Sequence, residues 1–282
     1  AAAAALCGEG RAAILSPLHA DLKRWDKDAH QPAEFIQSLR DMGLFGLIIP
    51  EEHGGLGLGR LELCVLAEEI GRAVAPIPFS STVYFFAEAL MLAGSDAQKK
   101  THLPNVASGE TIGCFALSEG PGAPTAAGIQ AKFDGSTLNG VKIPVTDGDC
   151  ADWAVVVAKE GSGVSLVLVD LKQAGVTRTT LKTLDPTRGH AKIEFKGAKA
   201  ERLGAGGQGW ELAEAILDRA AVLLAFEQVG GSQACLEMST DYAKNRYAFS
   251  RQIGSFQAIK HKLADMYVAI EVARSNAYYG AW

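Results

Sequence analysis

The sequence has few cysteines, no long apolar run and no excess of positive charge. Its five cysteines are scattered, odd in number and without a C-x-x-C pair, which argues against a disulfide framework and against a zinc site. No run of about 18 apolar residues occurs, so a membrane-spanning helix is not expected. The net charge of −5 disfavours sequence-independent nucleic-acid binding, which needs a basic face.

The cellular compartment is expected to be a reducing cytoplasm. The start of the chain, AAAAALCGEGR, is apolar but lacks the basic residues that open a secretory signal peptide. Four of the five cysteines lie among apolar residues and are expected to be buried structural thiols. Unpaired thiols of this kind are typical of reducing compartments.

Three blocks of the sequence differ in periodicity, and the first, residues 1–110, reads as helical. Pro32 is expected to open a helix that Gly43 ends, because proline suits the first helical turn and glycine the residue after a helix. Ser95 and Gln98 have the spacing of a capping box, which predicts the start of another helix.

The second block, residues 111–203, consists of short runs rich in β-branched and aromatic residues, such as DWAVVVA and VSLVLVD. Turn residues separate these runs, and no long helical pattern lies between them. A parallel α/β sheet is therefore disfavoured, and a compact antiparallel β-domain is predicted.

The third block, residues 204–282, is helical again. One long helix is predicted from Gly209 to about Arg246, with Gly230 and Gly231 marking a candidate break. A second helix is predicted from Phe256 to the end. It carries an apolar seam that needs a partner helix, formed by Phe256, Ile259, Leu263, Met266, Ile270 and Ala273.

The order of the blocks predicts an α+β fold. It has an N-terminal helical bundle, a central antiparallel β-domain and a C-terminal helical bundle that is truncated. Because the helical pattern is still running at Trp282, we expect helices that pack on the seam to lie beyond the sequence given.

The segment GAGGQG at 204–209 matches the G-x-G-x-x-G pattern of dinucleotide-binding loops. That fingerprint needs a strand directly before it and a βαβ unit around it, whereas here a long helix follows with no strand after it. We therefore interpret the segment as a crossover from the β-domain into the long helix.

Two strand ends are candidate ligand sites. In FALSEGPGAPT, residues 115–125, a strand ends in a hydroxyl and a carboxylate and enters a Gly/Pro loop, where small residues let a ligand approach the backbone. An ordinary β-turn explains the same residues. Thr146 lies at the end of another strand beside a turn, which by itself says little.

A basic segment between the two C-terminal helices is a third candidate. Lys244, Arg246 and Arg251 cluster beside Tyr247 and Phe249. Such a segment can hold an anionic ligand, since arginine pairs with phosphate oxygens through two hydrogen bonds. A solvated basic loop is the alternative explanation.

Taken together, these places resemble the acyl-CoA dehydrogenase family. The likeness runs over nearly the whole chain and is carried by MGLFGLIIPEEHGGLGLG, SDAQKKTHLPNVASGE, NGVKIPVTDG and above all SRQIGSFQAIKHKLADM. The resemblance implies the same α–β–α order, binding of FAD, and assembly as a homotetramer or heterotetramer.

The resemblance also implies two groups of FAD contacts. Ser118 would hydrogen-bond the flavin, Thr146 would do so near N5, and Arg246 would bind the pyrophosphate. The full groups are Phe115, Leu117, Ser118 and Thr146 around the flavin, and Arg246, Phe249 and Gln257 reaching the FAD of a neighbouring subunit.

The activity implied by the resemblance is α,β-desaturation of an acyl-CoA thioester. A carboxylate removes the α proton while the β hydrogen leaves as hydride to flavin N5. Arg219 matches a family arginine near the acyl-CoA site, and Thr125 falls near a family serine that contacts the CoA pantetheine. An electron-transfer flavoprotein is the implied electron acceptor, and fatty acid metabolism the implied context.

The sequence departs from the family pattern at the site itself. The family loop usually reads TEPGAGSD, whereas SEGPGAPTA here has an extra residue and no Asp. Pro144 stands where the family usually has Trp, and it removes a backbone N–H. Ala248 replaces a common hydroxyl residue.

The usual catalytic Glu of the family lies in helices beyond Trp282. Some members place the base on the long helix, beside the arginine that Arg219 matches, and Asp218 occupies that place here. The hypothesis is that Asp218 is the base, and the alternative is that it is a helix-surface carboxylate.

Two other functions compete with this one. The altered loop and Pro144 favour a non-catalytic partner subunit of a heteromeric acyl-CoA dehydrogenase. A flavin oxidase or monooxygenase on the same fold is the third reading, because a fold does not fix the chemistry.

Overall fold

The structure is a computed structural model that describes residues 33–185 and 187–282. The predicted helix start at Pro32 and the thiol of Cys7 lie outside the described residues. The described chain forms two compact units. The larger contains residues 33–58 and 76–220, and the smaller contains residues 59–75 and 221–282.

Six α-helices lie within the described residues. They are α1 (Ala33–Asp41), α2 (Arg60–Ala73), α3 (Glu88–Ala93), α4 (Asp96–Ala107), α5 (Gly209–Asn245) and α6 (Gln257–Ala281). The strands there are β1 (Gly113–Ala116), β2 (Lys132–Phe133), β3 (Thr137–Thr146), β4 (Trp153–Glu160), β5 (Gly163–Asp170), β6 (Val176–Thr180), β7 (His190–Lys199), β8 (Glu201–Leu203), β9 (Tyr247–Ala248) and β10 (Arg251–Gln252). The predicted α+β order is confirmed.

The capping box that begins α4 is confirmed. The Ser95 hydroxyl accepts a hydrogen bond from the Gln98 backbone N–H at 3.3 Å, and the Gln98 side chain accepts one from the Ser95 N–H at 3.0 Å. Both donors belong to the first helical turn, where the helix itself offers them no acceptor.

A π-helical segment, Ser80–Ala87, runs directly into α3. Its residues are almost all buried, so the segment has no polar face of the kind that marks an amphipathic helix. The periodicity of the sequence did not predict it. π-helical turns are rare and often lie at functional sites.

The β-domain is one sheet of eight strands in the order β6-β7-β3-β2-β4-β5-β8, with β1 added beside β4. Most neighbours are antiparallel, as predicted. Two pairings are parallel, β1 with β4 and β2 with β4. The sheet is therefore mixed, and runs this short carry no signal of strand direction.

The central strands β4 and β5 are buried on both faces, because their residues alternate between two cores. On one face, residues such as Val155 and Leu166 pack with Phe86 and Leu103 from the helical segments. On the other face, residues such as Val156 pack within the β-domain itself.

In the smaller unit, α2 packs against α5 through glycine. A Cβ at Gly71 would overlap the Glu227 carbonyl, and a Cβ at Gly230 would overlap the Glu68 carbonyl. The helix α5 runs through Gly230 and Gly231 without a break, so the candidate break is wrong. These glycines bring two backbones close together.

The apolar seam on α6 is covered in part. Leu263 and Ile270 pack with Val229 and Leu236 of α5, whereas Met266 is exposed. Among the described residues, no helix is both long and apolar enough to cross a membrane.

Candidate functional site

A cleft of about 580 Å³ opens where β1 ends in the larger unit. The loop from Leu117 to Ala131 forms most of its wall, and Gly140 and Val141 of β3 complete it. Small residues dominate the loop, so backbone groups lie at the surface of the cleft. A ligand placed there would meet main chain rather than bulky side chains.

An ion pair lies behind this wall. The Lys142 ammonium is 2.7 Å from the Glu119 carboxylate, and the Lys142 side chain is fully buried. Burial opposes the ionisation of Glu119, but hydrogen bonds from Lys142 and from the backbone of Ala131 and Gln130 outweigh it. They hold the pKa of the Glu119 carboxyl below its usual range.

The four residues predicted to line the flavin lie at the ends of β1 and β3. The Phe115 ring stacks on Phe85 at 5.9 Å, and Leu117 and Ser118 line the cleft. The Ser118 carbonyl accepts a hydrogen bond from the Ile143 N–H at 2.8 Å, which ties the two strand ends together. Thr146 is the last residue of β3 and is exposed.

The hydroxyl groups of Ser118 and Thr146 make no hydrogen bond to any residue in 33–185 or 187–282. Among the described residues, neither hydroxyl is committed to a partner. Hydroxyls that the described protein leaves uncommitted suit hydrogen bonds to the polar edge of a ring such as flavin. Pro144 lies in the same stretch of β3 and is exposed. Because proline has no aromatic ring, the side chain at this position supplies no aromatic surface.

The residue after Thr146 is a fully buried aspartate. The Asp147 carboxylate lies 2.5 Å from the Arg188 guanidinium and accepts a hydrogen bond from the Ser81 hydroxyl at 2.6 Å. Arg188 also donates to the Ser80 hydroxyl at 3.0 Å. This network fastens the end of β3 to the π-helical segment.

Thr125 lies on the rim of the cleft. It caps a short 3-10 turn at 126–128, and its hydroxyl accepts a hydrogen bond from the Gly128 N–H at 3.2 Å. The side chain is exposed. Its position on the loop is compatible with contact to a ligand that enters the cleft.

Asp218 and Arg219 lie on α5, on the part of that helix that belongs to the larger unit. Both are exposed. The Arg219 guanidinium forms an ion pair with Glu88, whose side chain is almost completely buried at the start of α3. Arg219 is thus held by a carboxylate from another helix.

The predicted basic loop between the C-terminal helices is a β-hairpin, so its description as a loop is wrong. Strands β9 and β10 pair around Phe249 and Ser250, which both have positive φ angles of 52° and 64°. Two such residues in a row form the turn that matches strand twist. Phe249 is 92% exposed at the tip.

Residues on both sides of the hairpin are also accessible. Arg246 directly follows α5, Gln257 is the first residue of α6, and both are exposed. The Arg251 guanidinium lies 4.0 Å from the centre of the Phe256 ring. Arg246, Phe249 and Gln257 belong to the smaller unit, whereas the group around Ser118 belongs to the larger one.

The glycine segment 204–209 connects β8 to α5. A strand does end at Leu203, directly before the glycines, which the sequence did not predict. A hairpin rather than a further strand of the sheet follows α5, so the βαβ unit of a dinucleotide fold is not formed by the described residues. Gly209 is required by packing, because a Cβ there would overlap the backbone of Ser165.

Four polar residues of the site were not predicted, and they are Glu88, Lys142, Asp147 and Arg188. The sequence pattern did not indicate that Lys142 is buried. Val141, Ile143 and Val145 alternate along β3 and predict the opposite face for Lys142, but the register of β3 against β7 shifts between Lys142 and Val145, and Lys142 is buried. The partners of the other three are distant in sequence and carry no local signal.

The cysteines are less uniformly buried than predicted. Cys64 and Cys114 are buried, whereas Cys150 and Cys235 are exposed. The apolar neighbours of Cys150 and Cys235 lie on other faces of the turn and of the helix. Apolar neighbours in the sequence therefore did not indicate that these two thiols are buried.

Three models of the acyl-CoA dehydrogenase family match the chain. The N-terminal domain matches residues 11–110, the middle domain residues 114–198 and the C-terminal domain residues 207–282. The probable acyl-CoA dehydrogenase YngJ of Bacillus subtilis (strain 168) is 31% identical over 274 residues, which cover 91% of this chain and 72% of that protein.

Two further similarities extend this result. The mitochondrial isovaleryl-CoA dehydrogenase of Oryza sativa subsp. japonica is 34% identical over 256 residues, which cover 84% of this chain and 62% of that protein. A chain in the crystal structure of the ChsE4-ChsE5 complex from Mycobacterium tuberculosis has a TM-score of 0.88 at 29% identity, covering 100% of this chain and 77% of that chain.

The chain belongs to the acyl-CoA dehydrogenase family. It spans less than two thirds of the length of some relatives and 72% of YngJ. The family consists of oxidoreductases that use FAD.

Proposed function

We propose that this chain binds FAD and takes part in the α,β-desaturation of an acyl-CoA thioester. The observation that carries the proposal is the cleft of the larger unit, in which a loop of small residues meets Ser118, whose hydroxyl no described residue uses. Family membership supplies the cofactor, and the cleft supplies a place for a ligand next to it.

We assign Phe115, Leu117, Ser118 and Thr146 to the flavin. Ser118 and Thr146 have hydroxyls that the described protein does not use, which suits hydrogen bonds to the polar edge of the ring. Phe115 offers an aromatic wall held by Phe85. The bound flavin supplies the acceptor for the substrate's β hydrogen, which leaves as hydride.

We assign Arg246, Phe249 and Gln257 to the FAD of a neighbouring subunit. An exposed aromatic ring at a hairpin tip and an exposed arginine beside it suit a partly apolar, partly anionic ligand. This assignment depends on assembly into a homo- or heterotetramer, which we propose on the family pattern.

The acyl-CoA ligand is proposed to contact Thr125 and Arg219. Thr125 is exposed on the cleft rim, and Arg219 is held by Glu88 with its guanidinium still half exposed. An arginine that is fixed but accessible is suited to an anionic or carbonyl group. An electron-transfer flavoprotein is the proposed electron acceptor, fatty acid metabolism the proposed setting, and a reducing cytoplasm the proposed compartment.

The base that removes the α proton is proposed to be Asp218. It is an exposed carboxylate on α5, one residue before Arg219. Asp218→Asn keeps the size of the side chain and removes the base, so we expect kcat to fall by about 100-fold or more. Full activity in Asp218→Asn would exclude this role.

A non-catalytic partner subunit is the second candidate. The exposed Pro144 removes the aromatic surface expected beside the flavin, and a chain of the ChsE4-ChsE5 complex is among the similar structures. Co-purification of a second dehydrogenase subunit, together with no flavin bound by this chain alone, would favour this candidate.

The deciding measurement is the visible absorbance spectrum of the purified full-length protein, before and after anaerobic addition of a mixed set of acyl-CoAs. The proposal expects a flavin spectrum that bleaches. A flavin spectrum unchanged by every thioester would contradict the desaturation activity and point to an oxidase or monooxygenase. A colourless protein would favour the partner subunit.

A further inference from the structure

Lys142 is the buried cation of the cleft wall, and its surroundings explain how it is tolerated. Its side chain has no exposed surface. Burying an ammonium is costly unless it is paired and hydrogen-bonded. Its Nζ atom is paired with Glu119 at 2.7 Å and donates to the Leu117 carbonyl at 2.9 Å.

Glu119 connects Lys142 to the end of the loop that leads into β2. One carboxylate oxygen accepts a hydrogen bond from the Gln130 N–H at 2.7 Å, and the other accepts one from the Ala131 N–H at 3.0 Å. The pair therefore joins the residues where the loop leaves β1 to the residues where it returns towards β2. We call Glu119 and Lys142 the loop clasp.

Between these ends the loop has little to hold its shape. Gly120 and Gly122 have positive φ angles, and no atom lies within 4 Å of the position a Cβ would take at either. The residues from 121 to 128 are exposed, and the hydrogen bond between Thr125 and Gly128 is local. The width of the cleft thus depends on the loop ends.

We propose that Glu119 and Lys142 are positioning residues that set the cleft for acyl-CoA binding, an inference that rests on the proposed function. Neither residue has to touch the reacting atoms. The clasp fixes Ser118 and the Gly/Pro rim, so a substrate meets a preorganised wall and loses less affinity to ordering the loop.

The first variant is Lys142→Met, which keeps the apolar stem and removes the cation. In the full-length holoenzyme we expect KM for the acyl-CoA that bleaches the wild-type flavin best to rise between roughly tenfold and a hundredfold, as for a displaced binding wall. We expect kcat to change much less, because the lost interaction acts on ground state and transition state alike.

The second variant, Lys142→Met with Glu119→Gln, separates positioning from stability. Removing both charges avoids an unpaired buried ion and should restore the melting temperature that the single variant loses. It does not restore the donor to the Leu117 carbonyl, so KM should stay raised. If KM recovers together with the melting temperature, or never rises, the proposal is overturned.

The matched control is Lys172→Met on the same unit. Lys172 pairs with Asp152 at 2.6 Å, but its side chain is 67% exposed, so KM should not change. Hydrogen exchange of the Gln130 and Ala131 amides reports the clasp without any turnover. Suppose that no thioester bleaches the flavin of the wild type, but that these amides exchange faster in Lys142→Met than in the wild type. That result would contradict the proposed function and would still support the loop clasp.

Discussion

At the scale of single residues, burial divides side chains of one type into different chemical classes. Burial raises the pKa of the Cys64 thiol to about 11 and raises that of Cys114 further, so neither forms a thiolate near neutral pH. Cys150 and Cys235 are exposed. The same residue type is thus inert at two positions and accessible at two others.

Thiol labelling tests this division. In the folded protein with Cys7 replaced by Ser, we expect an aromatic disulfide reagent at pH 8 to modify Cys150 and Cys235 and to spare the two buried thiols. In about 6 M guanidinium chloride all four should react, since unfolding exposes them. Rapid modification of Cys64 in the folded protein would contradict the packing described for α2.

The residue scale is also where sequence reasoning reached its limit at the site. Ser118 and Thr146 were found because a family pattern names their positions, and their roles remain predictions. The strand period of β3 pointed the wrong way for Lys142, because the register shifts beside it, and Glu88 had no local signal either. Its partner Arg219 is distant in sequence, and only the fold brings the two together.

At the scale of elements, the contact between α2 and α5 depends on two glycines. Each of Gly71 and Gly230 allows the other helix's backbone to approach where a methyl group would collide with a carbonyl. Sequence alone presented Gly230 and Gly231 as a candidate break, because glycine weakens an isolated helix. In the folded protein Gly230 does not interrupt α5, and its lack of a side chain is what allows the close contact with α2.

Neighbouring substitutions test the contact. Gly230→Ala should lower the free energy of unfolding by about 3 kcal/mol, because the added Cβ collides with the Glu68 carbonyl. Gly231→Ala is the control, since its Cβ would come no closer than 3.4 Å to another backbone. That variant should gain up to about 1 kcal/mol from helix propensity. Urea unfolding measures both, and equal effects would refute the close approach.

Elements with local signals were predicted and those that depend on distant packing were not. The start of α4 followed from Ser95 and Gln98, which satisfy each other within one turn. The π-helical segment is defined by burial on nearly all sides and by its bonds to Asp147 and Gly113. The hairpin after α5 has no glycine at its turn, so the usual hairpin signal is missing.

At the scale of the whole molecule, several carboxyl groups share one direction of pKa change. Hydrogen bonds from Arg202 hold the pKa of Glu160 below its usual range, and the Thr187 hydroxyl does the same for Asp185. Glu119 behaves likewise through the clasp, against the effect of burial. A depressed folded-state pKa contributes stability that is present above the unfolded value and lost as pH falls through the folded one.

Urea unfolding at a series of acidic pH values tests the combined contribution of these carboxyl groups to stability. The urea midpoint should fall most steeply below about pH 4.5, the ordinary value for glutamate, and should keep falling as each depressed group takes up a proton. Glu119→Gln removes one of these groups and should flatten that acid limb. A midpoint unchanged from pH 7 to pH 3.5 would show that these carboxylates do not contribute.

The loop clasp has a consequence for how such a chain can change over generations. Because Glu119 and Lys142 join the two ends of the loop, the residues between them are not needed to hold the sheet together. Insertions and substitutions there can accumulate without disturbing the fold, and an extra residue relative to the usual family loop is already present. The clasp thus separates the sheet, whose residues must be conserved for the domain to fold, from the loop, whose residues can change and alter which ligand the cleft prefers.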